Sequence, residues 1–294
     1  MIDFEGIVSS DWHLRNDVPV CRPEDQEEWI DFQFQNIGMI QETAIEKDLD
    51  IYCIGDIYHR SQPYMGIIGR LKQAFDDFTN ELYRLAGNHD LPYHSWDNVI
   101  NSGWFLSPGK DILHAKKGAF HFGTILKKKK ASIVFTHQLV FPDKKSMPPM
   151  AEGKTAQELL DEYPNAKWIF TGDYHRAFHY ENGGRHVVNP GCLSRQSVGE
   201  SEYDCGFYEV HTATNEVIFH SIGDTAVLKT AHLEKTKERD DRIDAFMEII
   251  RETGKVTLSF TDNLNKKLLN KKIPQGTKSI VTEIEEELKK GVKK

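Results

Sequence analysis

Short apolar runs alternate with amphipathic stretches through the first third of the chain. Residues 4–9 read as a strand. Residues 24–47 read as a long helix carrying Trp29, Phe32, Ile37, Ile40 and Ile45 on one broad side. A second strand is predicted at 50–54, a second helix at 63–80 and a third strand at 82–86. This β-α-β-α-β order predicts parallel strands joined by right-handed crossovers.

The pattern then shifts toward strands, predicted at 111–115, 119–125, 132–136, 166–171, 185–189, 206–211 and 216–221, with one clear helix at 154–163. The segment FPDKKSMPPMAEGK (141–154) reads as a long mobile loop. Beyond residue 225 the character changes again. Ile243, Phe246, Met247 and Ile250 fall at i, i+3, i+4 and i+7, an amphipathic helix. A strand at 255–260 and a helix at 279–290 complete the reading. The expected division is a catalytic domain at 1–224 and a small accessory segment, α/β or helical, at 225–294.

Five of the strand-like runs end in polar clusters: SSDWHLR (9–15), GDIYHR (55–60), AGNHD (86–90), THQ (136–138) and TGDYHR (171–176). The C-terminal ends of parallel strands converge on one crevice, where ligands bind. Asp11, His13, Asp56, His59, Asn88, His89, His137, Asp173 and His175 are therefore expected to meet. Imidazoles and carboxylates are ligands for Zn, Mn and Fe, and oxygen-rich mixtures suit Mn. Side chains two apart on a strand share a face, so Asp11 and His13 can reach one ion. A carboxylate such as Asp56 can bridge two ions. Gly55, Gly87 and Gly172 are read as letting the backbone turn sharply beside them. The alternative for Asp173 is an ordinary polar turn, and for His59 a satisfied loop histidine.

Charge sharpens the picture. Residues 1–224 hold 21 Lys+Arg against 33 Asp+Glu, and residues 225–294 hold 16 against 12. A net-acidic body argues against a broad non-specific nucleic-acid surface. Only eight arginines occur before residue 225, yet Arg15, Arg60, Arg176 and Arg195 lie in or beside the polar clusters. Arginine is the usual bidentate partner of phosphate, so a local phosphate-binding rim is expected. Lys127 to Lys130 read as a solvated hairpin turn. Cysteines 21, 53, 192 and 205 form no CxxC pair, and no apolar run is long enough to span a bilayer, so a reducing cytoplasm, or a host cytoplasm for a viral protein, is expected and no membrane.

The series D-x-H, G-D, G-N-H-D, a lone His and G-x-x-H, over about residues 7–195, resembles the calcineurin-like metallophosphoesterases. The resemblance implies an α/β fold, a four-layer α/β/β/α sandwich holding two divalent metal ions. It implies Asp11, His13, Asp56 and His175 around one ion, and Asp56, Asn88, His137 and Asp173 around the other. His89 is then the catalytic residue that protonates the leaving oxygen or stabilises the phosphorus centre. GDIYH, which places His59 three residues after Asp56, and NPGCLSR (189–195) with CGFYEV (205–210) are similar to elements of the SbcD-type double-strand-break repair nucleases, where the His59 equivalent supports exonuclease action. Cys192 stands where that group has serine. Asp173 departs from the GHxH pattern. Its carboxylate hardens the second position and favours Mn2+ or Mg2+ over softer ions.

The resulting expectation is a Mn2+-dependent nuclease acting on duplex DNA ends or single strands, as a homodimer or with an SbcC-type ATPase subunit. The alternatives are a phosphomonoesterase or small-molecule phosphodiesterase on the same site, and a non-catalytic subunit that binds a partner through its tail.

Overall fold

The computed structural model describes residues 3–112, 132–231 and 233. The chain divides into two compact units, Met1–Thr230 and Ala231–Lys294. The predicted strand at 119–125, the lysine run 127–130 and the elements read beyond residue 233 lie outside the described residues, as does most of the strand read at 111–115.

β1 (Glu5–Ser9), β2 (Ile51–Ile54), β3 (Leu82–Leu85) and the two-residue β4 (Lys110–Asp111) lie side by side and parallel. They connect through α1 (Gln26–Lys47) and α2 (Met65–Asp76), as the alternation predicts. Asp25 caps α1 with a full capping box, accepting from the Glu28 N–H while Glu28 reaches back to the Asp25 N–H. α2 ends four residues earlier than its pattern suggests.

A second sheet holds β5 (Ile133–His137), β8 (Trp168–Gly172), β9 (Phe178–Asn182) and β10 (Arg185–Asn189) in the order β5-β8-β10-β9. β6 (Val140–Phe141) and β7 (Lys154–Thr155) pair with each other, so the ends of the segment read as a mobile loop are tied together. α3 (Ala156–Glu162) follows. β11 (Gly206–His211) returns antiparallel to β1, and β12 (Glu216–Ser221) closes the edge of the first sheet.

The sheets pack face to face through aromatic rings. Phe4, Tyr52, Phe135 and Phe170 form a chain of contacts with centroids 4.8 to 5.6 Å apart. Strand alternation sorts the second sheet into two faces. Phe135, Trp168, Phe170 and Val188 join the core shared with the first sheet, whereas Val134, Ile169 and Val187 pack with Leu159 and Leu160 of α3. The result is the expected four-layer arrangement of helices, sheet, sheet and helix.

α1 departs from its predicted face in an informative way. Ile45 is exposed, while the polar Gln33 and Asn36 are buried. Gln33 brackets Arg15, accepting from its N–H and donating to its carbonyl, each at 2.9 Å, and Asn36 donates to the Leu193 carbonyl at 2.9 Å. The inner face of the helix is therefore partly given over to holding two loops that flank the polar clusters. Among the described residues, no helix is long and apolar enough to cross a membrane.

Candidate metal centre

β1, β2, β3, β5 and β8 all end at one edge of the two sheets, and each releases its polar cluster there. Asp11 and His13 lie beyond the end of β1, not on it, and both have left-handed backbones, with φ of 50° and 45°. Their convergence therefore comes from a folded loop, not from strand alternation. That loop is zipped against the one after β2: Asp11 N–H donates to the Gly55 carbonyl, His13 N–H to Asp56 and Leu14 N–H to Ile57, at 2.8 to 3.0 Å.

Asp56 and Asp173 also have positive φ, 52° and 75°. Of the three motif glycines, Gly55 alone takes the left-handed turn, at φ 93°. Gly87 serves close approach instead, because a Cβ there would lie 2.0 Å from Asp56 Oδ1. Non-glycine residues in this region carry a cost of order 1–3 kcal/mol each. Four such residues in one ligand cluster mark a site whose aim is imposed by its surroundings.

The donor atoms face one another. His13 Nε2 lies 3.0 Å from His175 Nε2, 3.8 Å from Asp11 Oδ1 and 3.7 Å from Asp56 Oδ2. His137 Nε2 lies 3.3 Å from Asp56 Oδ2, 3.0 Å from Asn88 Oδ1 and 3.9 Å from Asp173 Oδ1. His137 Nδ1 donates to the Ile54 carbonyl at 2.6 Å, and His175 Nδ1 donates to Glu200 Oε1 at 2.7 Å. In their neutral forms both rings therefore turn an Nε2 lone pair toward carboxylates, an amide oxygen and another imidazole. A cluster of acceptors is a donor set for cations, and its nitrogen and oxygen atoms suit a divalent ion of intermediate hardness. Donor atoms of Asp11, His13 and His175, and separately of Asp11, Asp56 and His137, fall within 4.8 Å of one another. Among the described residues, the buried His13 Nδ1 has no hydrogen-bond partner.

Protonation follows the same electrostatics. Burial works against charge at His137, but Asp56 outweighs it and holds the imidazole well above its usual range. Reciprocally, Asp56 is drawn below the ordinary carboxylate range by His137 despite its own burial. Burial also opposes charge at His175, yet the hydrogen bond to Glu200 and the nearby Asp11 raise it to about 9. At His13 burial dominates, and the ring is pushed well below its usual value.

The remaining candidate residues divide. His89 donates from Nδ1 to the His59 carbonyl at 2.8 Å, and its backbone N–H donates to Asp56 Oδ1 at 2.8 Å. Its ring centroid is 4.8 Å from that of His13 and 5.6 Å from that of His59. His59 stands half-buried beside both, pushed down to about 4 by burial and by the Arg15 guanidinium. Arg15 is tied to Asp17, Arg60 is 70% exposed, and Arg176 is exposed with its guanidinium 5.9 Å from the Tyr203 ring centre. Arg195 is different. It is buried, and its terminal nitrogens donate to Asp224 and to the carbonyls of Ser201, Asp224 and Ala226, so it clamps the chain instead of presenting an open fork to phosphate.

Three supporting residues were not singled out by the sequence. Asp90, fully buried, accepts from the backbone N–H groups of Ile57, Tyr58 and Gly87. Asn189 donates to the carbonyls of Tyr174 and Arg176, setting the loop that carries Asp173 and His175. Glu200 holds His175. Asp90 stands at the end of the quoted AGNHD run and was open to recognition there. Asn189 opens the quoted NPGCLSR element, and Glu200 has no local signature.

Two outcomes test the centre. Gly87→Ala places a methyl group against the Asp56 carboxylate and is expected to weaken Mn2+ binding at both positions, read as two raised dissociation constants by calorimetry. Wild-type affinity in that variant would show that Asp56 bridges nothing. Because the His137 imidazole is raised by Asp56, and that of His175 to about 9 by Glu200 and Asp11, and both must lose a proton to ligate, Mn2+ binding is expected to release protons and to weaken as pH falls. Each released proton corresponds to about 1.4 kcal/mol per pH unit. Calorimetry in buffers of different ionisation enthalpy measures the proton count, and a count of zero would contradict this assignment.

The calcineurin-like phosphoesterase family model matches residues 7–177. No curated protein matches the chain by sequence. Among solved structures, an archaeal phosphodiesterase is 13% identical, with 74% of this chain and 100% of that one covered at a TM-score of 0.41. A dimetal phosphatase from Danio rerio is 9% identical, with 78% and 100% covered at 0.47. A predicted phosphoesterase from Streptococcus pneumoniae is 13% identical, with 75% and 91% covered at 0.36. The family match spans more than half of the chain and contains every candidate metal ligand: the chain belongs to the calcineurin-like phosphoesterases, metal-dependent hydrolases that use two divalent ions.

Proposed function

We propose that the chain is a Mn2+-dependent phosphodiesterase acting on DNA, of the SbcD nuclease type. The observation that carries this reading is the third imidazole. His13, His59 and His89 bring ring nitrogens within 4.8 Å of one another, and the guanidinium charges of Arg15 and Arg60 both act on His59. A neutral His59 offers a hydrogen bond without a charge, which suits the single negative charge of a diester. The exposed Arg60 and Arg176 supply cations for neighbouring phosphates of a strand.

Asp11, His13, Asp56 and His175 would hold one ion, and Asp56, Asn88, His137 and Asp173 the other. When bound, the pair clamps the attacking and leaving oxygens of a phosphoryl group and makes water a stronger nucleophile. His89 acts beside them. Its Nδ1 proton is committed to the His59 carbonyl, so Nε2 is the atom that, in the imidazolium form, would give a proton to the leaving oxygen and return the ring to its neutral state. The three carboxylates favour Mn2+ or Mg2+. Residues 225–294, whose charge opposes that of the body, would serve as a DNA- or partner-facing segment, with an SbcC-type ATPase or a second copy of the chain as the partner.

The deciding assay compares duplex ends, single-stranded DNA, bis-p-nitrophenyl phosphate and a phosphomonoester with Mn2+. DNA cleavage is expected, with the monoester poor. His59→Ala should lower cleavage of duplex ends at least tenfold more than hydrolysis of the small diester. Monoester hydrolysis with no DNA cleavage would replace this reading with the phosphatase alternative. Asp173→Ala should raise the Mn2+ concentration needed for activity, and Asp173→His should keep activity while admitting Zn2+. An unchanged Mn2+ requirement in the alanine variant would make Asp173 a turn residue.

A further inference from the structure

We propose that Glu200 is a positioning residue for the first metal ion, fixing the His175 imidazole with Nε2 turned toward Asp11 and His13. Glu200 is 7% exposed, and both of its oxygens are engaged. Oε1 accepts the His175 Nδ1 proton at 2.7 Å, while Oε2 accepts the backbone N–H groups of Gln196 at 2.6 Å and Ser197 at 2.9 Å. The same turn reaches a second ligand, because Gln196 Nε2 donates to the His13 carbonyl at 3.1 Å.

The turn is itself anchored. Arg195 N–H donates to Asp224 Oδ2 at 3.1 Å, and Arg22, whose guanidinium is buried, donates to the same oxygen at 2.8 Å. The carboxylate is thus held from behind by a fixed loop and presents one oxygen to the ring.

The consequence is a choice of tautomer. An imidazole that ligates through Nε2 must carry its proton on Nδ1, and an acceptor at Nδ1 enforces this. A carboxylate accepts on both sides. A glutamine cannot, because its single oxygen is drawn to the Gln196 and Ser197 N–H groups and its NH2 then faces His175. Nδ1 becomes the acceptor, and the proton moves to Nε2, the atom needed for the ion.

Glu200→Gln is isosteric and isolates this effect. Mn2+ binding should weaken by about 10–100-fold at one of two positions. By electron paramagnetic resonance the spectrum of a spin-coupled Mn2+ pair should give way to that of a single ion. Glu200→Asp keeps the charge but shortens the reach and should show a smaller loss at the same position. The proposal rests on the assignment of Asp11, His13, Asp56 and His175 to one ion. Wild-type protein that binds fewer than two Mn2+ ions would reject that assignment. Two wild-type affinities in folded Glu200→Gln protein would overturn only the role of Glu200. Failure of both variants to fold would also overturn it, by making Glu200 a structural part of the turn.

Discussion

Everything at the site follows from one electrostatic constraint: carboxylates and imidazole lone pairs are packed against each other where water scarcely reaches. The side chains of Asp11 and Asp56 are at most 1% exposed, and His13 and His137 about 5%. Uncompensated charge in such a place is costly, and the cost is relieved either by protons or by metal ions. The nearby carboxylates raise the imidazoles of His137 and His175 against their own burial, so protons and metal ions compete for the same compensation. Ion binding is an exchange of one form of compensation for another.

Holding the ligands in this arrangement demands a backbone that would not adopt it unaided. The left-handed turns at Asp11, His13, Asp56 and Asp173 persist because their peptide groups are over-determined. The β1 and β2 loops zip together, Asp90 gathers three N–H groups behind Asp56, and the Asp173 N–H is drawn to the Asp11 carboxylate at 3.1 Å. The aromatic packing between the sheets sets the strand ends from which these loops spring. Core and site are therefore linked through backbone hydrogen bonds, not through side-chain contact alone.

The convergence of the candidate ligands was legible in the sequence because each sits beside the end of an apolar run, and parallel strands deliver their C-terminal ends to one edge. The supports were less legible for a physical reason. Asn189 works on loop carbonyls 15 and 13 residues away, and Glu200 on a ring 25 residues away. No periodicity records such partners. β9 escaped because Phe178–Asn182 is a partly exposed edge strand with little apolar alternation. Ile45 looked like core because an apolar residue near a helix end reads the same whether or not the sheet extends beneath it. Of the motif glycines only Gly55 makes a left-handed turn, and Asp11, His13, Asp56 and Asp173 make the rest themselves, which no residue-type rule records.

Asp173 gains a further meaning from charge. Two divalent ions bring four positive charges, and Asp11 and Asp56 return two negative ones. With a histidine at position 173 the centre would keep two positive charges, enough to neutralise a dianionic monoester. With the Asp173 carboxylate in the set, one would remain, a lower charge facing the phosphoryl group than a histidine would leave. Asp173 is also the more open of the carboxylates, with its side chain 31% exposed. The neutral His59 fits the same logic, since it adds a hydrogen bond without restoring the lost charge. Arg60 and Arg176, exposed and outside the candidate ligand set, leave cationic groups at the surface beyond it.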